Sequence, residues 1–151
     1  MKIEMTGTDN YNIFINKLYI KDLDFKSKEC INEIVKGILF KLKNRLKLRG
    51  FYKVKVFPND KVGLFLELIK LEDLEFSNNL DLRIVIYFDE KVFFETDDYF
   101  VIENCNDKRF LDGCFYCVVD ENFDQSLERI EFGRFVYGRE VIEVLNKSTI
   151  L

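Results

Sequence analysis

Cys114-Phe115-Tyr116-Cys117, with Cys105 nine residues earlier, is the closest approach in this sequence to a metal knuckle. Zinc takes about four thiolate or imidazole ligands arranged as a tetrahedron. A strand sends side chains three positions apart to opposite faces, the chain has no histidine, and Cys30 falls in a separate helical stretch. The cysteines are therefore expected to be reduced and to act as small buried hydrophobes, with no metal and no cofactor. Carboxylate doublets stand at Glu72-Asp73, Asp89-Glu90, Asp97-Asp98 and Asp120-Glu121. Paired acids serve hydrolases and magnesium-dependent nucleases, but all four doublets fall at expected turns or strand ends, where solvated acids are ordinary. The lack of histidine also excludes Ser-His and Cys-His chemistry. With no glycine-rich phosphate loop and no Ser-centred elbow, the chain is not expected to be an enzyme.

A basic helix offers a different kind of surface. Between residues 36 and 55 lie Lys36, Lys41, Lys43, Arg45, Lys47, Arg49, Lys53 and Lys55, with no acid among them. Residues 56–151 hold 10 basic and 21 acidic side chains, a net of −11, and the whole chain carries −4. At about 100° per residue, Phe40 falls about 180° from the apolar stripe of its helix, and Lys36, Lys43 and Lys47 fall within about 60° of it. Lysines around an aromatic ring grip nucleic-acid backbones, and they also seat an acidic peptide. The competing bland role is a structural seam, with Phe40 covered by the second half of the chain or by another copy. Lys36, Phe40, Lys43 and Lys47 are the expected partner-binding residues.

The elements that position these residues follow from periodicity. Tyr11 to Ile20 alternates as a strand, and Ser27 is an N-cap with Glu29 in the first turn. Ile31, Ile34, Val35, Ile38, Leu39, Leu42 and Leu46 then form a helical stripe ended by Gly50. Val54 to Phe57 and Val62 to Leu71 read as a hairpin around Pro58-Asn59-Asp60. Residues 71–79 form an acidic joint, which divides the chain into halves at 1–74 and 79–151. In the second half Leu82–Phe88 and Val92–Glu95 read as a hairpin. Tyr99–Glu103, Phe115–Val119 and Ile130–Tyr137 read as further strands, with Gly133 marking a bulge. Arg139–Lys147 closes as a short helix. The expected fold is α+β: mainly antiparallel sheet with one long N-terminal helix and one short C-terminal helix.

The 151 residues are 48% hydrophobic and 33% charged, a globular composition that excludes disorder and collagen-like repeats. The absence of a leader-like start and of any long apolar run leads to the expectation of a cytoplasmic protein with no membrane association.

Several short segments resemble MecA-type adaptor proteins. Met1-Lys2-Ile3-Glu4, the strand ending Ile20-Lys21-Asp22, Phe25 before the helix, and Lys61-Val62-Gly63-Leu64 are similar to that family's N-terminal domain. Tyr116 to Asp120, Glu131-Phe132-Gly133-Arg134 and Glu140-Val141-Ile142-Glu143 are similar to its C-terminal domain. The chain differs in having only residues 71–79 where the family has a long acidic linker, and in leaving only Glu121 to Glu128 where the family has a substantial helix. The resemblance implies a non-enzymatic, bacterial-like adaptor: one domain recruits a protein client and the other docks on an AAA+ unfoldase of the ClpC kind. The alternative is a nucleic-acid-binding protein that uses the helix face around Phe40. The net negative charge outside the basic segment makes nucleic acid the less favoured partner, and a homo-oligomer is compatible with either reading.

Overall fold

A computed structural model of the protein describes residues 1–72, 79–88, 90–121, 123 and 132–151. The chain is α+β and forms two compact units, Met1–Phe88 and Asp89–Leu151, each built on a five-stranded sheet. The division falls after Phe88, so the strand that follows the expected joint belongs to the first unit.

The first unit comprises β1 (Lys2–Gly7), β2 (Asn10–Asn16), a 3-10 turn (Lys17–Tyr19), α1 (Lys28–Leu46), β3 (Gly50–Asn59), β4 (Gly63–Glu72) and β5 (Leu80–Ile86). Its strand order is β1-β2-β4-β3-β5. The alternation of apolar residues decides which face is covered. Tyr11, Ile13 and Ile15 of β2, Tyr52, Val54 and Val56 of β3, and Leu64, Leu66 and Leu68 of β4 join Ile31, Val35, Leu39 and Leu42 of α1 in one core. Each fully buried aliphatic side chain stabilises by about 1.5–3 kcal/mol relative to leaving it in water, so this seam is the main reason the helix forms. Ser27 caps it, its hydroxyl accepting from the Cys30 amide at 3.2 Å. The β3–β4 connection is built by Asn59, whose side-chain oxygen accepts from the amides of Lys61 (2.9 Å) and Val62 (3.3 Å).

Three details correct the expected fold. The 19-residue α1 is not at the N-terminus: two strands, β1 and β2, precede it where only one, Tyr11 to Ile20, is expected. The first sheet is mixed: β5 pairs parallel with β3, from Gly50↔Leu80 to Val56↔Ile86. Residues 82–88 therefore do not form a hairpin with residues 92–95. Leu82, Ile84 and Ile86 pack on the α1 core instead. The alternating pattern of β5 was visible in sequence, but alternation fixes a face, not a partner or a direction.

The second unit comprises β6 (Phe93–Thr96), α2 (Tyr99–Ile102), β7 (Arg109–Leu111), β8 (Cys114–Val118), β9 (Gly133–Val136), α3 (Arg139–Lys147) and β10 (Thr149–Ile150). Its order is β10-β7-β8-β6-β9, and every pairing is antiparallel. Val141 and Val144 seat α3 on Phe93, Tyr116 and Val136. Residues 99–102 are helical rather than extended, because the Asp98 carboxylate caps the turn by accepting from the Phe100 amide at 3.0 Å. Gly133 lies in regular register opposite Thr96, with no bulge. Of the expected strand 130–137, residues 130 and 131 lie outside the described residues, as do 73–78, 89, 122 and 124–131 as a whole. Among the described residues no helix is long and apolar enough to cross a membrane.

Candidate functional site

With Ile31, Val35, Leu39 and Leu42 turned into the core, α1 leaves Lys36, Phe40, Lys41 and Asn44 exposed on its outer side, with Lys43 half-buried. Phe40 is 51% exposed. Lys36 precedes it by one turn and Lys43 follows it by one turn, so the three side chains share a face as the helical count requires. Neither lysine, nor Lys47, takes part in an ion pair among the described residues. Glu33, two turns before Phe40, is also exposed.

Lys47 departs from the count. The helix stops there, not at Gly50: Lys47 has left-handed backbone (φ 54°), and the next amide, Leu48, donates back to the Lys43 carbonyl at 2.9 Å. This six-to-one bond is a Schellman closure with a lysine in the position usually held by glycine. Leu48 is buried beneath it. Lys47 therefore extends the basic face at the helix end rather than from its side.

Lys53 and Lys55 do not join this face. Val54 and Val56 point to α1, so the alternating Lys53 and Lys55 lie on the opposite side of the sheet, where Lys55 stands across from Glu67. The basic segment is divided between two sides of the first unit, and only its helical part surrounds an exposed ring.

Gly37, one turn before Phe40 on this surface, gives a test of α1 itself. A methyl group there would meet nothing within 4 Å. Gly37→Ala is expected to raise the urea midpoint of the chain by an amount worth about 0.5–1 kcal/mol, through helix propensity alone. A loss of stability would show that the α1 face is covered.

The residues considered for other chemistry are dispersed. Cys114 lies on the α3 side of β8 with Tyr116 and Val118, and Cys117 lies on the other side. Cys30 sits in the first turn of α1, its sulfur accepting from the Asp24 amide at 3.5 Å. Among the described residues no group of three or more cysteines and carboxylates could hold a metal ion. Of the carboxylate doublets, Asp98 is a helix cap and Asp120 accepts from the Asn106 side chain at 3.2 Å. Asp73 and Asp89 lie outside the described residues.

A polar cluster in the second unit was not apparent from the sequence. Tyr116, Glu95 and Arg134 are direct cross-strand neighbours on β8, β6 and β9. The Tyr116 hydroxyl donates to Glu95 Oε2 at 2.7 Å, and Arg134 donates to Glu95 Oε1 at 2.9 Å and to Oε2 at 3.1 Å. Arg134 also reaches Glu140 on α3 at 2.8 Å, tying helix to sheet. Burial opposes the charge on Glu95, but the hydrogen bonds from Arg134 and Tyr116 and the guanidinium charge outweigh it, so its carboxyl is held below the ordinary 4.5. Burial and the Glu95 carboxylate together push the Tyr116 phenol up. The arrangement locks α3 to the sheet and offers no open reactive group.

Because folding lowers the Glu95 pKa, protons bind the unfolded chain more readily. The stabilisation is complete above 4.5 and is lost as pH falls through the lower folded value. Glu95→Gln is expected to cost about 1–3 kcal/mol at neutral pH, since the bidentate Arg134 bond and an acceptor for a buried phenol are weakened. Urea titrations of wild type and variant should converge as the pH is lowered below 4.5; a gap that stays constant to pH 3 would contradict the role given to the carboxylate.

No family model, curated protein or solved structure matches the chain.

Proposed function

We propose that this chain is a non-catalytic adaptor or regulatory protein of the MecA type, working in the cytoplasm without a cofactor. It would link a protein client to an AAA+ unfoldase of the ClpC kind, with Lys36, Phe40, Lys43 and Lys47 as a partner-binding surface. The observation that supports this reading is the half-open Phe40 ring set between lysines that carry no ion pair among the described residues. Aromatic residues, phenylalanine among them, are enriched at the centres of protein interfaces, with a polar rim around them. Lysine charges select a partner segment that is acidic.

The second reading, nucleic-acid binding through the same face, is favoured by the same lysines and opposed by the field of the molecule. The 131 residues outside 36–55 carry a net −12, which repels a polyanion at long range. Titration of labelled duplex DNA and single-stranded RNA with the full chain separates the two. No binding is expected near physiological salt. Micromolar binding that weakens steeply with salt, with a slope of about 0.9 per phosphate neutralised on duplex DNA, would replace the adaptor reading with its rival.

A further inference from the structure

A second open aromatic surface lies in the other unit. Phe100, on α2, is 76% exposed. Beside it the Tyr99 ring meets Phe115 edge-on at 5.5 Å, and Phe115 meets Phe110 of β7 at 5.2 Å, so an aromatic layer runs from α2 to β7. Acids bracket the helix: Asp97 and Asp98 precede it and Glu103 follows it, all exposed. The Asp98 carboxylate is engaged as the helix cap, while Asp97 and Glu103 form no ion pair among the described residues. Lys108, the base in contact with this surface, donates to the Tyr99 hydroxyl and the Glu103 carbonyl, both at 3.0 Å.

We propose that the acidic aromatic face around Phe100 of one copy docks on the basic aromatic face around Phe40 of a second copy, so that the chain self-associates head to tail. The charges are complementary, with Asp97 and Glu103 against Lys36, Lys43 and Lys47. Each face has an exposed phenylalanine to bury at its centre. The inference rests on reading the α1 face as a docking surface and names one occupant for it. The two faces differ, so the contact is heterologous: it grows into longer assemblies with concentration unless the ring closes. Exposed ion pairs around one aromatic contact make it weak and salt-sensitive. A partner for α1 must then compete with the protein's own concentration.

Sedimentation velocity of the full chain across a wide concentration range, at low and high salt, tests this. The weight-average mass should rise with concentration at low salt and fall back to the monomer at about 0.5 M salt, where screening acts within a few ångströms. Lys36→Glu/Lys43→Glu and Asp97→Lys/Glu103→Lys, each with a wild-type circular dichroism spectrum, should both weaken association by roughly tenfold or more. An equimolar mixture of the two variants should restore it, because each then presents the charge the other lacks. Phe100→Ala, which removes an exposed ring, should give the same loss without changing net charge. A monomer at all concentrations, or association that the charge reversals leave unchanged, overturns the proposal. Partner capture through Phe40 by a chain that sediments only as a monomer would overturn it while leaving the adaptor reading intact. Self-association through both faces, in a chain whose Phe40→Ala variant still captures the same proteins, would support it and remove that reading.

Discussion

Gly63→Ala is expected to cost the first unit about 3–5 kcal/mol, enough to leave much of the population unfolded. Gly63 opens β4 with φ at 141°, a conformation that a side chain rarely adopts. It sits between two partners, opposite Asn16 of β2 and Asn59 of β3. A methyl group there would collide with the Ile15 carbonyl oxygen and lie 2.9 Å from the Lys17 amide nitrogen. These are backbone atoms of a strand and its following turn, and the Lys17 amide is itself held by the Val62 carbonyl at 3.0 Å. No side-chain rotation relieves the clash, so β2 and β4 must separate at that end. Urea denaturation of the full chain, followed by circular dichroism, measures the loss. A cost below about 1 kcal/mol would show that the β2–β4 junction is looser than described.

Gly133→Ala is expected to cost the second unit about 2–4 kcal/mol, for a different reason. The backbone of Gly133 is not left-handed, and what forbids a side chain there is proximity. A methyl group would collide with the Glu95 carbonyl oxygen across the β6–β9 ladder and come within 2.6 Å of the Phe94 ring. Phe94 is fully buried and is held by Phe123 at 5.3 Å and Phe135 at 5.5 Å, so its ring has nowhere to turn. The displacement would also pull Glu95 away from Arg134 and weaken the tie to α3. Hydrogen exchange should localise the damage to the amides of β6, β8 and β9, with α1 and its sheet unchanged. Equal loss of protection in both units would contradict the division of the chain after Phe88.

These glycines show what was legible in the sequence and what was not. The turn before Gly63 was readable from Asn59 and Asp60, because turn chemistry is local. The need for glycine at 133 came from a neighbour 38 positions away and read instead as a bulge. The α1 stripe from Ile31 to Leu46, the Ser27 cap and the alternation of β2, β3 and β4 were visible because each is a short-range pattern with one strong period. The parallel partner of β5 was not, since its residues alternate alike whichever strand they join. Tyr99 to Ile102 is an apolar run with strand-forming residues, yet it is a turn of helix capped by the side chain of Asp98. Phe40 and its lysines were legible because all but Lys47 share one helix. Lys47 misled the helical count because the chain takes a left-handed step there without a glycine. The Glu95 cluster joins residues 21 and 39 positions apart and left no local trace.

The claim that the α1 face binds a protein is tested most directly by quantitative affinity capture from the host lysate, with wild type and Phe40→Ala compared at matched fold by circular dichroism. Phe40 is exposed, so its removal should leave stability within about 0.5 kcal/mol of wild type. Loss of a central aromatic anchor should weaken partner binding by about 1–3 kcal/mol. The expected result is an AAA+ ATPase, together with at least one further protein, enriched on the wild type and largely lost from Phe40→Ala. The same proteins retained at the same level by Phe40→Ala, or a capture dominated by nucleic acid that washes off with salt, would contradict it.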